Sequence, residues 1–150
     1  MTVFEDASAI VTRYVIEPGR EPSAAPSVVV MSAVSQVEVT SAIWRKQRVG
    51  ELSPGQARVL VDAFLADLDS SMHPSPTAEV TFHPVAVTTG VLDTAVTFCA
   101  IHGLRAYDAV QLASAVLARG ADPTLTRLAT YDVALSRAAA AEGFTVNSDT

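Results

Sequence analysis

The sequence predicts an α/β fold in which a short parallel sheet is covered on both faces by helices. Two observations carry this expectation. Brief apolar runs rich in β-branched residues alternate along the chain with longer segments of helical periodicity. Buried strands joined through helices favour parallel pairing with right-handed crossovers. Size and composition agree: 150 residues, 49% of them apolar and 17% charged, fit one folded domain spanning residues 1–150 rather than a disordered chain.

Taken in order, Val3-Phe4 is the first strand, and residues 8–17 carry a helical pattern directly after it. The run Val28-Val29-Val30-Met31 is β-branched and uninterrupted, as a strand buried on both faces requires. Residues 33–49 and 54–70 return to helical spacing, and Pro54 suits a first helical turn. A third strand is expected within 80–87, followed by helices over 89–102 and 106–119, the second of them rich in Ala and Leu. Residues 125–129 give a fourth strand, 133–142 a last helix and Phe144-Thr145-Val146 a last strand. The proline-rich patches over 18–26 and 73–84 read as loops.

Composition removes several function classes. No run approaches the ~18 apolar residues of a membrane span, and the N-terminal residues lack a signal-peptide pattern, so a cytoplasmic protein without membrane association is expected. Cys99 is the single cysteine, which excludes an internal disulfide; beside Val96, Phe98 and Ile101 it reads as a small buried hydrophobe. A net charge of −6 offers no general attraction to nucleic acid, so any phosphate chemistry must be local. Lys46 is the only lysine and no Gly-Lys-Ser/Thr occurs, which excludes a P-loop. A phosphoacceptor receiver domain would need a lysine after a late strand and a third Asp after the middle one, and neither is present. His73, His83 and His102 lack metal-ligand spacing, and no Gly-x-Ser-x-Gly elbow exists.

What remains is acidic. In open parallel sheets ligands bind beyond the carboxyl ends of strands, and Asp6 and Asp132 each stand just after one. Each equally suits an N-cap, because each precedes a predicted helix. Asp108 stands in a helix that is apolar almost all round, where a carboxylate needs a cation or a partner such as Arg105. Glu38 stands among Val34, Val37, Val39, Ala42 and Ile43, with a solvent-facing position paired to Arg45 as the alternative. Four carboxylates without a His or Cys cluster suit Mg²⁺ or Mn²⁺, which prefer hard oxygen ligands and retain water. Such ions orient a water and screen phosphate oxygens in phosphodiester hydrolysis.

The segments Asp6-Ala7-Ser8-Ala9-Ile10-Val11, Glu38-Val39-Thr40-Ser41-Ala42-Ile43-Trp44-Arg45-Lys46, Leu104-Arg105-Ala106-Tyr107-Asp108-Ala109-Val110-Gln111-Leu112-Ala113 and Thr130-Tyr131-Asp132 together resemble the PIN domains of VapC-type toxins. The resemblance covers nearly the whole chain. It implies a PIN-like α/β/α sandwich and a metal-dependent endoribonuclease that cuts structured RNA of the tRNA or rRNA class. It also implies inhibition by a cognate VapB-like antitoxin and assembly as a homodimer. The family's acids would fall on Asp6, Glu38, Asp108 and Asp132, with the Ser8 and Thr130 hydroxyls supporting the metal site. Glu5 departs from the pattern by placing a charge where the family commonly has an apolar residue, so that it either alters the site or reaches solvent.

For RNA contact the basic cluster Arg45, Lys46 and Arg48 stands out, with Arg13 and Arg105 as additions; a solvated helix end is the plainer account. Val59, Leu60, Ala63, Phe64 and Leu68 read either as core or as a groove for an antitoxin helix. Two functions are thus carried forward: an active nuclease toxin, and a catalytically silent PIN scaffold that binds an antitoxin or RNA.

Overall fold

The computed structural model describes residues 1–23, 28–72 and 79–147. His73 and parts of both proline-rich patches lie outside the described residues. Five strands, β1 (Thr2–Glu5), β2 (Val28–Ser32), β3 (Thr81–Val85), β4 (Arg127–Ala129) and β5 (Thr145–Val146), form one sheet. Six helices connect them: α1 (Ala7–Val11), α2 (Ser35–Arg48), α3 (Pro54–Met72), α4 (Thr89–His102), α5 (Ala106–Ala121) and α6 (Val133–Ala141).

The strand order is β3-β2-β1-β4-β5, and every pairing is parallel. The chain therefore steps outward from β1 through β2 to β3, then crosses back to place β4 on the other side of β1. This reversal creates a crevice at the carboxyl ends of β1 and β4. Pro84 is tolerated because β3 is an edge strand, where a missing N–H costs no ladder bond on the open side.

Strand alternation sorts the core into two layers. Phe4, Val30 and Leu128 face α4, α5 and α6, in one cluster with Phe98, Leu112 and Leu135 of those helices and with Phe144 just before β5. Val29, Met31 and Phe82 face the opposite way against Ile10, Ile43 and Phe64 of α1, α2 and α3. The result is an α/β/α sandwich. On α3 the buried positions are Ala57, Val61, Phe64 and Leu68, so of the five apolar residues singled out there only Phe64 and Leu68 are core, while Val59 is 67% exposed.

Two expectations fail for physical reasons. The first helix ends at Val11 rather than continuing to 17. Thr12 turns its hydroxyl onto the Ala9 carbonyl at 2.6 Å, Val15 and Ile16 are β-branched, and Pro18 bars Glu17 from helical backbone angles. Cys99 is exposed, not buried. On α4 the core face is Val91, Ala95 and Phe98, and two of the neighbours that suggested burial, Val96 and Ile101, are themselves 72% and 64% exposed. Gly103 ends α4 at φ 63°, a left-handed C-cap that favours glycine. Among the described residues, no helix is long and apolar enough to cross a membrane.

Candidate active site

Asp6 follows β1 directly and is 5% exposed. It caps α1, as one reading of the sequence expects: Oδ1 accepts from the Ala9 N–H at 3.0 Å and from the Ser8 hydroxyl at 2.7 Å. The cap does not exhaust it. Oδ2 accepts from the Thr130 hydroxyl at 2.6 Å, a bond that spans the crevice from β1 to the segment after β4. Burial holds the Asp6 carboxyl above the usual range in spite of these bonds, and the nearby charge of Asp108 adds to the shift.

Asp132 has the same double character, since it caps α6 through the Leu135 N–H at 2.8 Å and lines the same cleft as Asp6. Asp108 enters from the first turn of α5, and its carboxyl is raised by burial and then by Asp132, against the pull of Arg105. Glu38 enters from the first turn of α2. Its carboxyl is pushed up to about 6 by burial, with Asp6 and Asp108 adding repulsion. Four acids from four separate elements thus line one cleft of about 610 Å³ at the strand reversal.

Ser8 and Thr130 sit between the acids as supports. The Thr130 hydroxyl also accepts from the Asp132 N–H at 3.0 Å, and the Ser8 hydroxyl accepts from the Tyr131 N–H at 2.8 Å. Gln111, which the sequence did not single out, is 1% exposed and donates its amide to Glu38 at 3.2 Å and to Ser35 at 2.7 Å. A neutral amide within an apolar helix gives no charge signal, although a buried Gln must find partners.

The cationic residues divide. Arg13 is taken by Glu5, through Nε at 2.9 Å and a terminal guanidinium nitrogen at 2.5 Å, and so is withdrawn from RNA contact. Glu5, fully buried, neither enters the cleft nor reaches solvent; Arg13 and Ser23 satisfy it. Arg45 and Lys46 line the cleft, whereas Arg48 does not. Lys46 is held by Glu17 at 2.6 Å and Glu51 at 3.1 Å, with its side chain largely covered. Arg105 reaches Asp108 at 3.4 Å and Asp132 at 3.6 Å. Arg20, absent from the sequence candidates, is returned to the cleft by the Pro18-Gly19 turn between paired Glu17 and Arg20. That Pro-Gly pair was the available signal.

Among the described residues, no three His, Cys, Asp or Glu side chains are gathered tightly enough to grip one ion together. The donor set nevertheless suits Mg²⁺, which is typically held by one or two carboxylates and keeps several waters. Among the described residues, the cleft offers oxygen donors and no sulfur or imidazole.

Neither a family model nor a curated protein sequence matches the chain. A solved structure does: VapC20 of Mycobacterium tuberculosis, a Sarcin-Ricin loop cleaving toxin, aligns at TM-score 0.58 over 95% of this chain and 96% of that one. The chain has the PIN-like fold of a VapC toxin. At 17% identity the likeness is one of fold, and it extends along nearly all of both chains. Within this PIN-like fold, the cleft between β1 and β4 is where the topology itself directs a ligand.

The raised carboxyls have a consequence for the PIN-like fold without divalent cations. For an acid whose folded pKa lies above its unfolded value, stability is full below the unfolded value and is lost as pH rises through the folded one. For Glu38 that window runs from 4.5 to about 6. Asp6 and Asp108 act in the same direction. Melting temperature measured in EDTA should fall across this window, and Glu38→Gln should remove part of that fall, less than the full shift implies because the side chain is only partly buried and solvent screens its charge. A pH profile identical in the variant would show that the Glu38 charge is not opposed by its surroundings.

Proposed function

We propose that the chain is a metal-dependent endoribonuclease, the toxin half of a toxin–antitoxin pair, hydrolysing RNA phosphodiester bonds in the acidic cleft with Mg²⁺ or Mn²⁺. The observation that carries this reading is the convergence of Asp6, Glu38, Asp108 and Asp132 at the strand reversal. Three of them are held above their usual range by burial and by one another, an arrangement that a divalent cation would relieve. Asp6 and Asp108 would hold the ion, with Glu38 and Asp132 completing the shell directly or through water. Bound there, it would supply an activated water and screen the phosphate.

The chain's own groups set the rest. Ser8 and Thr130 fix the direction of the Asp6 carboxylate by hydrogen bonds at 2.7 and 2.6 Å. Arg20, Arg45 and Arg105 rim the cleft and are placed to meet phosphates flanking the cut, Arg105 by leaving its carboxylate contacts. A structured RNA is the proposed substrate class, since the protein of like fold is a Sarcin-Ricin loop cleaving toxin. A VapB-like antitoxin and a homodimer belong to the same proposal, as does action in the cytoplasm.

One observation favours a second reading. The Arg105 guanidinium lies within 3.4 and 3.6 Å of Asp108 and Asp132, so that the cleft carries a cation of its own, as a silent scaffold binding RNA or an antitoxin would. Incubation of the purified chain with total RNA in Mg²⁺, Mn²⁺ or EDTA separates the two. Cleavage in either metal and none in EDTA is expected; RNA retained intact in every condition would leave the scaffold.

A further inference from the structure

The β4–β5 ladder stops early. Arg127 pairs with Thr145 and Leu128 with Val146, after which β4 ends at Ala129 and Thr130 leaves the sheet. Thr130 is 4% exposed, so its peptide groups cannot turn to water. Asn147 satisfies both of them with one side chain: Oδ1 accepts from the Thr130 N–H at 2.9 Å and Nδ2 donates to the Thr130 carbonyl at 2.8 Å. A carboxamide carries the donor and acceptor of a peptide group, and here it takes the place of a missing strand rung. Asp would keep the acceptor and set a charge against the Thr130 carbonyl; an apolar residue would offer neither partner.

With its backbone held by Asn147, Thr130 presents its hydroxyl to both acids. The single proton goes to Asp6 Oδ2 at 2.6 Å, while a lone pair receives the Asp132 N–H at 3.0 Å. One side chain therefore sets the spacing of two cleft acids that lie at opposite ends of the sequence, and its own place depends on Asn147. Asn147 is exposed and lies outside the set of residues lining the acidic cleft. We infer that Asn147 is a positioning residue for this site: through the Thr130 backbone it fixes where Asp6 and Asp132 stand relative to one another.

The consequence for RNA cleavage rests on the nuclease reading above, whereas the geometric role does not. The test compares Asn147→Ala and Asn147→Asp with the unaltered chain by amide hydrogen exchange without metal, by Mn²⁺ titration, and by RNA cleavage. Both variants should exchange the Asp132 N–H roughly tenfold faster or more, with α5 amides unchanged. Mn²⁺ affinity should fall on the order of tenfold, as for residues that orient metal ligands. Asn147→Asp should not rescue. The inference is overturned if faster exchange is confined to the Thr130 N–H while Mn²⁺ affinity stays put, because Asn147 would then only end the ladder. If the unaltered chain cuts no RNA the nuclease reading falls, and exchange at the Asp132 N–H decides the role of Asn147 by itself.

Discussion

Asp6→Asn and Asp108→Asn are each expected to lower metal-dependent RNA cleavage by roughly a hundredfold or more, at little cost in thermal stability. Each exchange keeps the shape of the side chain and removes the charge a cation would need. At Asp6 the retained oxygen can still accept from the Ala9 N–H, and Asn caps helices about as well as Asp. The amide nitrogen replaces the oxygen that accepts from the Thr130 hydroxyl, a loss set against the relieved repulsion. The lost charge was held against burial and against Asp108, so its removal relieves repulsion. Initial cleavage rates and melting curves in EDTA would check both halves. Activity within a few-fold of the unaltered chain in both variants would reduce these residues to helix and surface acids.

The largest effect on stability is expected at Arg13→Ala. Glu5 is wholly buried, and among the described residues its carboxylate is met by Arg13 and the Ser23 hydroxyl. Removing one member of a buried ion pair leaves an uncompensated charge, at a cost of about 3–5 kcal/mol. For a chain of 150 residues this lowers the melting temperature by roughly 10 °C. A double exchange, Glu5→Gln with Arg13→Met, should recover much of the loss because no charge remains unpaired. An RNA-contacting Arg13 makes the opposite forecast, weaker RNA binding at unchanged melting temperature, so thermal denaturation of the two variants discriminates.

The contrast between Arg13 and Asp6 shows where a sequence is legible. Periodicity and composition located the five strands and six helices of the described residues, because burial of one face imposes a pattern that repeats within each element. The four acids were legible for a related reason: two follow strands, and two sit in apolar helices where a charge is out of place. Their convergence was legible only through the resemblance and the rule for strand reversals. Pairings that bridge elements left no such trace. Glu5 and Arg13 meet across a turn that ends α1 early, at a spacing no helix or strand repeats. Gln111 and Asn147 act through neutral amides, so neither a charge nor a period marks them. Cys99 misled because its flanking residues were read as a buried face, one position off the register of α4.

The register of β1 beside β4, Phe4 with Leu128 and Glu5 with Ala129, has a bearing on timing. A ribosome releases β1 first and β4 much later, and pairing across so long a loop cannot begin until both are out. Until then Asp6 has neither Thr130 nor Asp132 within reach, and the crevice has only one wall. On the nuclease reading proposed above, a chain built this way would carry no assembled site through most of its own translation. On that reading a neutralising partner would be needed only from the moment residue 132 emerges, so that neutralisation would be a race between docking of the last strands and binding of the partner.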